Sequence, residues 1–296
     1  MSKESAMRGT KITWIFLLVL VFGVAGRAQT VFTYRSAESE LDRRYDYEQD
    51  LLELALEKTV DEYGPYEMVP SPKMNFTRAY EALKSGNLEN PMFKTSVTDE
   101  FAREYDYVSF PVDLGIVGYR VCFTHPDVKE ELAGIETLAE LKEYTIGQGS
   151  GWVDVQILEH AGFQVQTVSN YESLFKMVTA KRFDLFPRGA NEVMQEYPSR
   201  KEMENLVIDD NICIFYPMPR FFFTTKGNTE AVERVETGIK IAYEDGSFRE
   251  LWNRYYLDNI KAVNLNDRKI FTIENPFIKT VDPSYKEYLY DPAGEN

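Results

Sequence analysis

Short apolar runs typical of β-strands alternate with amphipathic helical segments along most of the sequence, and this alternation constrains the fold more than any other feature. Alternating βα units place their strands in a mostly parallel sheet with helices on both faces. The pattern is clearest after residue 134, where it predicts helix 135–142, strand 144–147, helix 153–161, strand 165–168, helix 171–180 and strand 183–189. The chain is therefore predicted to be an α/β protein.

The first part of the chain shows the same alternation. It predicts strand 31–34, helix 47–60, strand 66–69, helix 77–83 and strand 93–97. Beyond strand 183–189 the predicted elements are helix 191–197, strands 206–208, 212–215 and 221–225, and helix 229–243. From Leu257 onward the sequence predicts an irregular tail that wraps over the surface.

One long β-rich segment interrupts the alternation at residues 108–123. Pro111, Gly115 and Gly118 lie within it and predict bends rather than one straight strand. We interpret the segment as the crossover into a second lobe, with Pro217-Met218-Pro219 as the return across the hinge. The predicted lobes are then 29–115 together with 217–296, and 116–216.

The first 28 residues have the composition of a signal peptide. Lys3, Arg8 and Lys11 precede the apolar run 12–24, and Gly26-Arg27-Ala28 offers small residues where a signal peptidase cleaves. We predict cleavage after Ala28 and a periplasmic location. The apolar run is shorter than the roughly 20 residues that span a bilayer, although an uncleaved anchor is left open. No membrane insertion is expected after cleavage.

The charge of the chain excludes polyanionic partners. Its formal charge is -15, and because the leader carries four basic residues and one acidic residue, the remainder has a formal charge of -18. Nucleic acids and anionic lipid surfaces require basic patches, so neither is expected as a partner. The composition favours a small-molecule solute, and we expect a monomer.

The sequence carries no recognisable catalytic or metal-binding motif. His125 and His160 lack a metal-ligand spacing, and no G-x-S-x-G nucleophile elbow occurs. We therefore expect no metal and no cofactor, and a binding protein rather than an enzyme. Cys122 and Cys213 are the two cysteines, and they fit either a disulfide bond or two buried free thiols.

Two stretches predict an anion-binding site. The loop 147–152 joins a strand to a helix, so its backbone amides lie where helix N-termini bind anions, with Gly149 permitting close approach, Ser150 adding a hydroxyl and Trp152 able to stack on a ligand. Arg188 ends strand 183–189 at the same edge of the predicted sheet. The alternative is that Arg188 pairs with a carboxylate of its own chain, such as Glu192.

The order of several stretches resembles one family. The first strand with its polar loop is followed by 96–99 with Arg103, by 138–142 ahead of the loop 147–150, by 181–184 and by 243–248. In this order they resemble the bacterial periplasmic solute-binding proteins of the polar amino-acid type, extracellular solute-binding family 3. The resemblance extends from Val31 to about Tyr256. It implies a two-lobed type II periplasmic binding fold, each lobe a mostly parallel sheet flanked by helices, joined by a two-segment hinge.

The resemblance also implies a site and a function. Arg103, Gly149 and Ser150 match the positions that bind a ligand α-carboxylate in the family, Asp154 and Glu192 are candidates for the amino group, and the first strand and its loop contribute Tyr34 and Ser36. The implied function is to close on a small polar, carboxylate-bearing solute, such as an amino acid, and to deliver it to an ABC-type transporter. The alternatives are a dehydratase-like periplasmic enzyme on the same scaffold and a ligand-sensing module of a membrane receptor.

Overall fold

The computed structural model describes residues 29–292, which form two β-sheets with helices packed on them. The strands are β1 Thr30–Tyr34, β2 Tyr66–Pro70, β3 Pro91–Ser96, β4 Asp106–Tyr107, β5 Tyr119–Thr124, β6 Ile146–Gly149, β7 Val165–Val168, β8 Leu185–Gly189, β9 Val207–Ile208, β10 Ile212–Phe215, β11 Arg220–Thr224 and β12 Lys269–Thr272. The helices are α1 Asp46–Glu57, α2 Val60–Tyr63, α3 Phe76–Ser85, α4 Asp99–Glu104, α5 Pro126–Leu132, α6 Leu138–Leu141, α7 Val153–His160, α8 Tyr171–Thr179, α9 Val193–Glu196, α10 Thr229–Glu244, α11 Ser247–Trp252 and α12 Asp258–Val263. The predicted α/β class is confirmed.

Each sheet belongs to one lobe. The first has the order β2-β1-β3-β11-β4, and the second has the order β12-β10-β5-β8-β6-β7 with β9 beside β5. Strands joined through helices run parallel, as in β1 with β2 and β3 or β6 with β7 and β8. The strands that follow a crossing between the sheets, β5 and β11, run antiparallel to their neighbours. Both sheets are therefore mixed.

Two segments cross between the sheets side by side. One connects β4 to β5, and the other, containing Tyr216, connects β10 to β11. Tyr216 donates its backbone N–H to the carbonyl of Gly118 at 3.2 Å. A Cβ at Gly118 would collide with the backbone carbonyl of Tyr216, so the close approach of the two segments requires glycine there. The return that the Pro217-Met218-Pro219 motif predicted lies in this second segment.

The C-terminal part of the chain corrects the predicted division into lobes. β12 pairs in parallel with β10, so 269–272 belongs to the second sheet although 217–296 was assigned to the first lobe. The chain then returns to the first lobe, where Thr280 donates to Asp99 and Val281 and Tyr285 pack in its core. The predicted irregular tail therefore contains a strand of the second sheet and a segment that packs on the first lobe.

The helices pack through their apolar faces. In α1 the buried positions Leu51, Leu52, Ala55 and Leu56 follow helical spacing, and α10 packs closely on α1 because Gly238 lies against the backbone of Ala55. In the second lobe Leu174, Phe175 and Val178 of α8 are buried.

Cys122 and Cys213 are buried free thiols. Between residues 29 and 292 no helix is long and apolar enough to cross a membrane. The predicted signal peptide, 1–28, lies outside the described residues.

Candidate functional site

A small cavity lies between the two lobes. Its volume is about 30 Å³, which is room for roughly two water molecules. Both sheets and the elements beside them contribute its walls, which are formed by Arg44, Tyr45, Glu48, Phe76, Tyr80, Lys94, Thr95, Ser96, Trp152, Val153, Asp154, Arg188, Glu192 and Arg220. The walls combine charges of both signs with aromatic rings.

Direct contacts between the lobes close this cavity. Trp152 of the second lobe meets Phe76 of the first edge-to-face, with ring centroids 6.0 Å apart. The Arg44 guanidinium lies 3.8 Å from the ring centre of Tyr171. The Ser39 hydroxyl donates to Glu172 at 2.8 Å. The structure is therefore a closed state of a two-lobed molecule.

Arg188 lines the cavity, but carboxylates of its own lobe hold its guanidinium. Nε donates to Glu196 Oε2 at 2.8 Å, Nη2 donates to Glu196 Oε1 at 2.6 Å, and Nη2 lies 3.0 Å from Glu192 Oε2. Burial would lower the pKa of Arg188, but these two carboxylates outweigh it and raise that pKa. The alternative that Arg188 pairs with Glu192 is what the structure shows.

Glu192 joins the two lobes as well as pairing with Arg188. It accepts a hydrogen bond from Arg220 Nη1 at 2.6 Å and from the backbone N–H of Gly189 at 3.0 Å. Arg120 lies 3.6 Å away. Burial would raise the pKa of Glu192, but the three arginines hold it well below its ordinary value. Glu192 is therefore ionised, and its oxygens already have several donors.

Asp154 is similarly engaged. It forms an ion pair with Arg120 on β5 and accepts a hydrogen bond from the Tyr216 hydroxyl at 2.6 Å. Because Tyr216 belongs to a crossing segment, this cluster ties the start of α7 to the hinge.

The loop before α7 is packed on itself. A Cβ at Gly149 would collide with the indole of Trp152. The backbone N–H of Ser150 donates to Val168 and that of Trp152 donates to Gly149, both at 3.0 Å. The Trp152 indole in turn covers Arg188, whose guanidinium carbon lies 4.8 Å from the ring centre. The loop and Arg188 do face each other, with the indole between them.

Five predicted site residues lie outside the cavity walls, namely Gly149 and Ser150 of this loop and Arg103, Tyr34 and Ser36. Arg103 is exposed on α4 and donates Nε to the carbonyl of Asp99 at 3.1 Å. Tyr34 ends β1 between β2 and β3, and Ser36 is hydrogen-bonded to Ser71. Their roles in ligand binding stay predictions. Besides Arg188, the cations of the cavity wall are Arg44, Lys94 and Arg220.

A buried charge pair at the cavity was not predicted from the sequence. Glu48 is 2% exposed and Lys94 is 6% exposed, and Lys94 Nζ lies 3.5 Å from Glu48 Oε2. Burial raises the pKa of Glu48 to about 7, although Lys94 and Arg35 oppose the rise. The burial of Glu48 could have been predicted from the sequence, because Glu48 lies four residues before Leu52 and so extends the apolar face of α1.

The cavity walls carry charged, polar and aromatic side chains. Neither His125 nor His160 is among them. Within 29–292, no group of three or more His, Cys, Asp or Glu side chains is placed to hold a metal ion.

Two sheets joined by adjacent crossing segments, with a cavity between them, define the two-lobed fold of type II periplasmic binding proteins. No protein-family model matches the sequence, and no curated protein matches it. Solved structures do share the fold. An ancestral arginine-binding protein bound to arginine is similar over 77% of this chain and 98% of its own, with a TM-score of 0.58 and 20% sequence identity.

Two other solved structures are similar to the same extent. The sensor domain of a histidine kinase, described as similar to periplasmic binding proteins, covers 77% of this chain and 96% of its own, with a TM-score of 0.58 and 15% identity. The substrate-binding protein of an amino acid ABC transporter covers 77% of this chain and 99% of its own, with a TM-score of 0.55 and 15% identity. At these identities the likeness establishes the fold.

Proposed function

We propose that this protein is a periplasmic solute-binding protein that closes its two lobes on a small polar, carboxylate-bearing solute, such as an amino acid, and delivers it to an ABC-type transporter. The observation that carries this proposal is the cavity between the lobes, which has charges of both signs and aromatic walls. Ligand sites of this kind are concave, with a few polar groups that fix orientation. The arginine-binding protein and the amino acid transporter component share the fold.

The solute enters only after the lobes separate. A cavity of about 30 Å³ holds water but not an amino acid. Opening separates Phe76 from Trp152 and Arg220 from Glu192, and closure on a solute restores these contacts or replaces them with contacts to the solute. The closed state described here therefore competes with the liganded one.

Arg44 is the cavity residue best suited to hold the solute's carboxylate. Its Nε donates to Asp42 and its Nη2 to Asp42 and Glu38, while Nη1 is buried without a hydrogen-bond partner among the described residues. Arg188, Glu192, Asp154 and Trp152 complete the proposed walls. Gly149, Ser150, Arg103, Tyr34 and Ser36 are the predicted site residues that do not line this cavity.

A thermal-shift experiment on the mature chain tests the proposal. Co-purified solute is first removed by unfolding and refolding, and the protein is then heated with amino acids, organic acids and small peptides. A solute at about a hundred times its Kd adds roughly 2.7 kcal/mol, which raises the Tm by several degrees at about 2–4 °C per kcal/mol. Unchanged melting temperatures with every compound would overturn the proposal.

The second candidate function is ligand sensing for a membrane receptor, which the similarity to a histidine kinase sensor domain favours. The two functions predict different defects in cells that lack the protein. Loss of uptake of the identified solute from cells lacking this protein supports delivery to a transporter. Unchanged uptake together with a lost transcriptional response to the solute supports sensing instead.

A further inference from the structure

The C-terminal segment leaves the second lobe beside a crossing segment. After β12, Ile273 donates its backbone N–H to the carbonyl of Phe215, and the side chain of Asn275 donates to the carbonyl of Pro217, both at 2.8 Å. Ile273 and Asn275 are buried, whereas Glu274 between them is exposed. Phe215 ends β10, and Pro217 lies between β10 and β11. The chain therefore follows this crossing segment out of the second lobe.

The next two side chains along the segment are divided between the lobes. Phe277 packs on the apolar cluster of the second lobe, which includes residues of α5, α6 and α7, and its ring centroid lies 6.0 Å from that of His160. Ile278 packs on an apolar cluster of the first lobe, which includes residues of α3 and β11. The carbonyl of Phe277 accepts the backbone N–H of Asp99 in the first lobe at 2.6 Å. Neighbouring residues are thus held by different lobes.

Asp99, the first residue of α4, fastens the segment to the first lobe. Its carboxylate accepts the backbone N–H groups of Lys279 at 3.0 Å and of Thr280 at 2.8 Å, and the hydroxyl of Thr280 at 2.8 Å. Hydrogen bonds to an ionised acceptor are stronger than neutral ones. Val281 and Tyr285, which follow, are buried in the first lobe. From residue 279 onward the segment is therefore fixed to the first lobe.

The segment ends at the other crossing segment. Tyr290 donates its backbone N–H to the carbonyl of Leu114 at 2.8 Å, and Leu289 lies against Gly115. Leu114 and Gly115 lie between β4 and β5. The Tyr290 ring packs on Trp252 of α11, with ring centroids 4.9 Å apart. The C-terminal segment therefore contacts both crossing segments and is held in the first lobe at its far end.

We propose that residues 273–281 form a third connection between the lobes, and that this connection restricts how far the lobes separate. Consecutive Cα atoms are about 3.8 Å apart, so Phe277 and Ile278 have little slack between the surfaces that hold them. Larger movements of one lobe relative to the other require the release of Phe277 from the second lobe or of the residues beyond it from the first. The restriction acts on the lobes whichever solute lies between them.

The distance between the lobes of the solute-free protein tests this inference. Co-purified solute is removed by unfolding and refolding, and spin labels are placed at Lys73→Cys in the first lobe and Lys176→Cys in the second, both exposed positions. Double electron–electron resonance then gives the distribution of distances between the labels. Because the lobes already touch at Phe76 and Trp152, additional freedom can add only longer distances.

Two variants release the connection in different ways. Phe277→Ala removes the ring that packs on the second lobe. An insertion of Gly-Ser-Gly-Ser between Phe277 and Ile278 keeps both side chains and adds flexible chain between them, so that only the Phe277 carbonyl still joins the lobes at this point. Both variants are expected to give a broader distribution that extends to longer distances than that of the wild-type protein.

Each variant has a matched control. Tyr288→Ala removes a half-buried ring of the same segment that packs on Phe110 and Tyr243 within the first lobe. The same insertion between Lys226 and Gly227 lengthens an exposed turn of the first lobe. Both controls are expected to give the wild-type distribution.

The insertion after Phe277 is the decisive variant, because it removes no packed side chain. A wild-type distribution in this variant would overturn the inference, even if Phe277→Ala gave longer distances or did not fold. An equal change in the control insertion would also overturn it. The result is independent of the proposed function: unchanged melting temperatures with every compound would overturn solute binding and leave the third connection standing.

Discussion

Arg188 and Glu196 form a two-pronged ion pair in the wall of the interlobe cavity, with Nε 2.8 Å from Oε2 and Nη2 2.6 Å from Oε1. The guanidinium of Arg188 is therefore bound by a carboxylate of its own lobe. The pair also leaves Trp152 free to cover the guanidinium. The arginine therefore organises the wall of the cavity, and recognition of a solute depends on groups that are not already paired.

The first prediction concerns the stability that this ion pair maintains. Arg188→Ala leaves Glu196 and Glu192 buried with less compensation, so the free energy of unfolding is expected to fall by about 3–5 kcal/mol in urea denaturation. Arg43→Ala, which breaks the exposed pair with Asp46, is the control and is expected to cost less than about 1 kcal/mol. Equal losses for the two variants would contradict the interpretation of Arg188 as a structural member of the wall.

A second prediction concerns the hinge. Gly118→Ala forces a methyl group against the carbonyl of Tyr216, so the two crossing segments must move apart, and a loss of about 1–3 kcal/mol is expected. Gly134→Ala is the control, since its Cβ would meet its nearest neighbour, the carbonyl oxygen of Glu131, at 3.6 Å, an ordinary contact. Thermal unfolding of both variants provides the measurement. A Gly118→Ala variant as stable as the control would contradict the requirement for glycine where the two segments cross.

A third prediction follows from the pKa of Glu48, which burial raises from 4.5 to about 7. The folded protein binds this proton more tightly than the unfolded chain does, so the contribution of Glu48 to stability is present at low pH and is lost as the pH rises from about 4.5 through 7. The loss for this single group amounts to about 3 kcal/mol. Lys94, Arg35 and Arg220 face Glu48 and oppose the rise in its pKa.

Glu48→Gln isolates that contribution from those of other titrating groups. Urea denaturation at pH 5 and pH 8 is expected to show that the variant gains stability relative to the wild-type protein at the higher pH. The same difference between the two proteins at both pH values would contradict the assignment of a raised pKa to Glu48.

Elements with local signals were predicted well from the sequence. The order of β6, α7, β7, α8 and β8 follows from apolar periodicity. Asn170 caps the start of α8. β8 ends at Gly189, as the sequence predicts, but begins at Leu185 rather than at residue 183. Its last residues, Arg188 and Gly189, pair with β5. That pairing depends on a segment more than sixty residues earlier in the sequence.

The features that could not be predicted from the sequence depend on contacts between distant parts of the chain. Nothing in 269–272 indicates that it pairs with β10 in the second sheet. The partner of Arg188 could be guessed from Glu192, one turn ahead, but its bond to Glu196 requires the orientation of α9. Arg103 is exposed on α4, which begins after the Thr98 cap. Glu48 also had a local signal, a carboxylate on an apolar helix face, although it was not predicted as a site residue.

The central claim, that two lobes close on an amino-acid-like solute, is tested most directly by the distance between them. Spin labels at Lys73→Cys in the first lobe and Lys176→Cys in the second lie at exposed positions, while Cys122 and Cys213 are buried and resist labelling. After removal of co-purified solute, double electron–electron resonance is expected to give a broad distribution with a long component. A mixture of the proteinogenic L-amino acids should collapse it to a single shorter distance, and a distribution that the mixture leaves unchanged would contradict the account.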